Sequence, residues 1–169
     1  MAHLTLILGG ARSGKSARAL ALAPAPPRRF IATAEALDGE MAERIARHRQ
    51  ERAPDWALSE VPLDLAEALG EHGIASGVMV VDCLTLWLSN LMHHERDVAA
   101  ATEALLSAAA AAPGRIVMVS NEVGMGLAPM NALGRAFRDA QGRLNQRVAA
   151  SANRVEFVAA GLPITLKAD

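Results

Sequence analysis

The stretch Gly9-Gly10-Ala11-Arg12-Ser13-Gly14-Lys15-Ser16, directly after the apolar run Leu4-Thr5-Leu6-Ile7-Leu8, decides how this chain is read. Its spacing is G-x-x-x-x-G-K-[ST], a pattern that carries chemistry when a strand delivers the loop and a helix leaves it. Residues 3–8 read as a buried strand and residues 15–23 as the helix, ended by Pro24, Pro26 and Pro27. Gly9 and Gly14 permit backbone angles closed to other residues, so that successive N–H groups turn inward around phosphate oxygens. Helix onset at Lys15 adds a positive dipole end. Lys15 then supplies a mobile charge for the β- and γ-phosphates, and the Ser16 hydroxyl is placed to ligate Mg²⁺. The alternative is a glycine-rich turn with an incidental lysine.

Composition bounds the rest. With 169 residues, 51% of them hydrophobic, the chain suits one well-buried domain spanning 1–169 and is short for two. Seventeen Lys+Arg against eighteen Asp+Glu give a formal net charge of −1, which makes no electrostatic case for a nucleic-acid partner. Anion binding must therefore be local. A single cysteine, Cys83, excludes an intramolecular disulfide framework. The start carries neither a basic n-region nor a cleavage site, and the apolar runs stop short of the ~18 residues needed to span a bilayer. A cytoplasmic enzyme with no membrane span is expected.

Further along, residues 28–33 read as a second strand, with Thr33-Ala34-Glu35 leaving its C-terminal end, where open α/β sheets bind ligands. Asp38 can cap a helix running to about Arg52, in which Arg44, His48 and Arg52 recur on one face at i, i+4 and i+8. A solvated basic face is the ordinary reading. The other is chemical: two flanking cations disfavour protonation of the imidazole, keep it nucleophilic and attract phosphate. A short strand over 56–61 carries Glu60 near its end, either a surface carboxylate or an acceptor for a base or ribose. A helix of roughly 63–72 follows.

Val78-Met79-Val80-Val81-Asp82 is an apolar run closed by an acid, the arrangement in which a phosphate-loop enzyme holds Mg²⁺ from a neighbouring strand. Asp82 would otherwise cap a helix over 84–91. Cys83 reads as packing, and His93 and His94 as surface residues. The alanine-rich helix 97–112 ends at Pro113-Gly114, and a strand over 115–120 delivers the loop Asn121-Glu122-Val123-Gly124-Met125-Gly126. An amphipathic helix over 131–152 carries Arg135, Arg138, Asp139, Arg143, Asn145, Gln146 and Arg147, most of them read as solvated or at a subunit contact, so a homo-oligomer is expected. Strands 154–159 and 162–167 flank Gly161 as a hairpin, which adds an antiparallel edge to an otherwise parallel sheet. The expected fold is a three-layer α/β phosphate-loop NTPase of the RecA-like kind.

Taken together, these segments resemble the bifunctional adenosylcobinamide kinase/adenosylcobinamide-phosphate guanylyltransferase family of cobalamin biosynthesis over nearly the whole chain. The resemblance rests on residues 9–16, on Ile31-Ala32-Thr33-Ala34, and on Glu40-Met41, Arg44-Ile45 and His48-x-x-x-Arg52. It continues through Asn121-Glu122-Val123-Gly124-Met125-Gly126, Phe137-Arg138-Asp139 and Gly142-Arg143-Leu144-Asn145-Gln146-Arg147. It implies that His48 becomes guanylylated. It further implies nucleotide contacts from Gly9, Gly10, Ala11, Arg12, Ser13, Gly14, Lys15 and Ser16, from Thr33, Ala34 and Glu35, from Arg49, Gln50, Glu51 and Arg52, and from Glu60 and Asp82. Arg44, Asn121 and Glu122 would support the site, and Ser16 and Asp82 would hold Mg²⁺. GTP or ATP, adenosylcobinamide and adenosylcobinamide phosphate are the implied substrates. Some relatives carry Glu where this chain has Asp82; Asn153 stands where Asp is usual and Ala128 where Val is usual, both away from the proposed chemistry. A simple phosphate-loop kinase, and a nucleotide-binding regulatory switch, are the alternatives.

Overall fold

The computed structural model describes residues 3–35, residue 39 and residues 55–168. In chain order the elements are β1 (His3–Gly9), α1 (Lys15–Ala21), β2 (Arg28–Ala32), β3 (Ala57–Glu60), α2 (Leu65–Glu71), β4 (Val78–Asp82), α3 (Leu84–His93), α4 (Val98–Ala111), β5 (Arg115–Asn121), α5 (Ala132–Ser151), β6 (Arg154–Ala159) and β7 (Leu162–Lys167). The strands form one sheet in the order β3-β2-β4-β5-β1-β6-β7. All neighbours are parallel except β6 and β7, the hairpin expected from Gly161. Of the expected helix over residues 38–52, Gly39 alone is among the described residues, and it is helical; the rest lies outside them.

Alternation along the central strands sorts their side chains onto two covered faces. Leu6, Met79, Val81, Ile116 and Met118 pack with Trp87 and Leu88 of α3, Leu105 of α4 and Leu144 of α5. Ile7, Val78, Val80, Val117 and Val119 pack instead with Ala19 of α1. Because both faces are buried, β4 and β5 read as continuous apolar runs, as parallel strands do. Trp87 is buried, and its indole N–H donates to Leu63 O at 2.7 Å. Boundaries fall within two residues of expectation, and two differences have a visible cause. The helix after the phosphate loop ends at Ala21 because Leu22 N–H and Ala23 N–H turn to Ala19 O and Leu20 O, tightening the last turn before the prolines. The N-cap of α3 is Cys83 rather than Asp82, so the capping alternative for Asp82 is not what the chain does.

One ion cluster anchors α1. Glu156 on β6 is 1% exposed, and its carboxylate accepts from Arg18 Nε at 2.7 Å, Arg18 Nη2 at 2.9 Å and Arg154 Nε at 2.8 Å. The Arg18 hydrogen bonds, outweighing desolvation, hold the Glu156 carboxyl below the usual carboxylate range. Glu156→Ala should cost about 2 kcal/mol in urea unfolding, less than the ~3–5 kcal/mol for breaking a fully buried pair, because both arginines remain partly hydrated. Since the folded-state pKa is lowered, this contribution is full above the ordinary glutamate range and disappears as pH falls through the lowered value. The stability gap between wild type and variant should therefore close in acid.

Candidate nucleotide-binding site

The glycine-rich loop sits at the C-terminal end of β1, in the interior of the sheet between β5 and β6. A Cβ on Gly9 would stand 2.5 Å from Val158 O and 2.6 Å from Ser13 Oγ, so no other residue fits there. Gly14, the N-cap of α1, has φ 100°, the left-handed region that glycine enters without penalty. Gly161 N–H, in the turn between β6 and β7, donates to Ser13 O at 2.8 Å and braces the loop from outside. Residues Arg12 to Ala17 line a cavity of about 310 Å³. Within this loop the Ser13 hydroxyl is buried with no hydrogen-bond partner among the described residues.

Lys15 is 7% exposed, and its ammonium donates to Gly10 O at 2.5 Å, spanning the loop. Burial lowers its pKa, while the neighbouring Cys83 and Asp82 oppose that shift. The Ser16 hydroxyl donates to Asp82 Oδ2 at 2.7 Å. This contact brings the first turn of α1 to the end of β4 across the intervening β5, joining the two residues expected on Mg²⁺. Both are hard oxygen donors, and Mg²⁺ is ordinarily held by one or two protein oxygens with water and substrate phosphates completing the shell. Among the described residues no group of three or more His, Cys, Asp and Glu gathers to hold a metal.

Thr33 closes the other side of β4. Its hydroxyl donates to Cys83 O at 2.7 Å and accepts from Cys83 N–H at 2.9 Å, and its carbonyl accepts from Asn90 Nδ2 at 2.8 Å. The Thr33 hydroxyl thus fixes the backbone beside Asp82. Ala34 and Glu35 are half-buried just beyond it. Glu35 pairs with His94 Nε2 at 3.1 Å, a contact that the reading of His94 as a plain surface residue missed. Cys83 is buried, and burial pushes its thiol up to about 11, in keeping with a packing role. Glu60 is exposed at the end of β3, four strand positions and about 19 Å from β1 at ~4.8 Å per strand. Arg44, His48, Arg49, Gln50, Glu51 and Arg52 lie outside the described residues.

The end of β5 meets the loop directly. Asn121 is in register with Gly9, and Glu122 N–H donates to Gly9 O at 2.9 Å. Beneath it lies a buried polar group that sequence reasoning missed: Ser120, Gln141 and Asn145 are 0%, 0% and 6% exposed. Asn145 is therefore neither solvated nor available to a subunit contact. The signal was present, since Gln141, Leu144, Asn145 and Val148 repeat at i, i+3, i+4 and i+7, the buried stripe of α5.

Among the described residues no helix is long and apolar enough to cross a membrane. A family model described as cobinamide kinase / cobinamide phosphate guanyltransferase matches residues 5–166. The chain is 46% identical to the bifunctional adenosylcobalamin biosynthesis protein CobP of Pseudomonas aeruginosa, over 97% of each chain. It is 37% identical to the bifunctional adenosylcobalamin biosynthesis protein CobU of Escherichia coli, over 97% of this chain and 99% of that one. In fold it is similar to the flagellar accessory protein FlaH of Methanocaldococcus jannaschii, with a TM-score of 0.55 at 14% identity, covering 99% of this chain and 79% of that chain. Sequence match and loop geometry agree, and the chain belongs to the cobinamide kinase / cobinamide phosphate guanyltransferase family.

Proposed function

We propose that this chain is a cytoplasmic enzyme of cobalamin biosynthesis that phosphorylates adenosylcobinamide with ATP or GTP. It then transfers GMP from GTP to the product, through a guanylyl-histidine at His48, to give adenosylcobinamide-GDP. The observation that carries the phosphoryl-transfer half is the 2.7 Å contact between Ser16 and Asp82 beside the buried Lys15. The loop amides and Lys15 hold the triphosphate and offset charge on the transferring group, while the acceptor hydroxyl attacks the γ-phosphorus in line. Ser16 and Asp82 would hold Mg²⁺, which would supply electrostatic stabilisation of the phosphate oxygens. In the second reaction the His48 imidazole displaces pyrophosphate from the α-phosphorus, and the phosphate of the corrinoid then displaces the imidazole. Arg44 and Arg52, four residues to either side in sequence, offset the triphosphate charge. Thr33, Ala34, Glu35, Glu60 and residues 49–52 belong to the nucleotide site in this reading.

Self-association belongs to the same proposal. Met125, Leu127, Met130 and Leu133 are 72–98% exposed within one short stretch, and Leu162, Ile164 and Leu166 are exposed along the edge strand β7, a surface that a second copy of the chain would cover.

The test is turnover of adenosylcobinamide to a phosphorylated product by the purified protein. Asp82→Ala should lower kcat for that step about 30-fold and raise the Mg²⁺ concentration needed for half-maximal rate. An unchanged Mg²⁺ titration would remove Asp82 from the metal site, and absence of phosphorylated corrinoid would overturn the kinase reading.

A further inference from the structure

Three strand ends converge on the phosphate loop from one side of the sheet, and the third, that of β5, has so far only a general supporting role. On β1, Ile7 faces α1, so by alternation Gly9 does too; on β4, Val78 and Val80 face α1, so Asp82 does too. On β5, which runs between them, Val117 and Val119 face α1 and Asn121 follows on the same side. Asn121 is in register with Gly9 and lies two residues beyond Val119, the partner of Asp82. Its side chain therefore belongs to the space bounded by Gly9, Asp82 and the first turn of α1, where the terminal phosphate of a bound triphosphate would lie.

The backbone of Asn121 is held from the opposite face. Its N–H donates to Thr85 Oγ1 at 2.9 Å, and its carbonyl accepts from Asn145 Nδ2 at 3.1 Å. Asn145 is itself fixed in one orientation, because its Oδ1 accepts from Ser120 Oγ at 2.7 Å and from Gln141 Nε2 at 2.9 Å. Gln141 Nε2 also donates to Ser120 Oγ at 3.0 Å. Three uncharged polar side chains are thus buried under one strand end, where leucine and alanine would avoid the cost of desolvating them. A directional network fixes an angle that apolar packing does not.

We infer that Asn121 is a catalytic residue of the kinase step, its carboxamide donating to the transferring phosphoryl group and accepting from the acceptor hydroxyl, with Asn145, Ser120 and Gln141 as its positioning residues. The inference rests on the kinase reading above. In the step, the acceptor oxygen forms a bond to the γ-phosphorus as the bond from that phosphorus to the β,γ-bridging oxygen breaks. The nucleoside diphosphate leaves with the electron pair, and the hydroxyl proton passes to a phosphoryl oxygen. Asn121 exchanges no proton; it aligns the two partners.

The experiment is a double-mutant cycle on the full-length protein with adenosylcobinamide and saturating nucleotide. Asn121→Ala should lower kcat about 100-fold while the nucleotide Kd stays within about threefold. Asn145→Leu should lower kcat on the order of 10-fold in the wild-type background and not at all in Asn121→Ala, while its effect on Tm is the same in both. Ser120→Ala, a smaller change, gives the same comparison if Asn145→Leu fails to fold. Wild-type turnover in Asn121→Ala, or an equal loss of kcat from Asn145→Leu in both backgrounds, overturns the inference and leaves the kinase reading standing. A wild-type protein that makes no phosphorylated corrinoid overturns both.

Discussion

Replacing His48 with alanine should abolish the protein-bound label that wild-type enzyme acquires from GTP labelled at its α-phosphate, while corrinoid phosphorylation continues. The expected loss in GMP transfer is at least about 10⁴-fold, because a covalent route loses its nucleophile outright instead of one of several stabilising contacts. The chemistry identifies the bond. A histidine phosphoramidate is labile in acid and stable in base, the reverse of an acyl phosphate in base, so the label should survive alkali and vanish in mild acid. Retained phosphorylation in the same variant separates the two activities, and a wild-type label that is lost in His48→Ala excludes the simple-kinase alternative. Wild-type protein that takes up no label leaves only a kinase.

Lys15→Met should lower corrinoid phosphorylation about 10³-fold, with a rise in nucleotide KM smaller than the fall in kcat. Methionine keeps the stem that packs inside the loop and removes the ammonium, so the loss reports charge rather than volume. The ammonium now donates to Gly10 O, within the loop itself, so the move to a phosphate oxygen is a short one. Arginine at this position should not restore the rate, since a planar fork cannot replace a compact point charge in a cavity of this size. GMP transfer should fall as well if the loop grips the triphosphate in both reactions. A Lys15→Met enzyme with near-normal kcat would show that the charge stabilising the transferring phosphoryl group comes from elsewhere.

What could be read from the sequence was what neighbours in the chain determine. The phosphate loop needs only Gly9, Gly14, Lys15 and Ser16 at fixed spacing, and Gly161 between two short strands specifies its own hairpin. Asp82 stands out in the sequence because it closes an apolar run. The features that escaped join residues far apart in the chain. Thr33 meets Cys83 across 50 positions, Arg18 meets Glu156 across 138, and Glu35 meets His94 across 59. Nothing within one segment signals such a partner. Asn145 is instructive in another way: a polar residue on a mostly charged helix looks solvated until its spacing with Leu144 and Val148 is weighed against its type.

The bond from Gly161 to Ser13 carries one more consequence. Ser13 and Gly161 are 148 positions apart in the chain, so the shape of the glycine-rich loop is set in part by the turn that follows β6. A partly unfolded chain in which β6 and β7 have left the sheet keeps the loop's sequence and loses the bond that braces it.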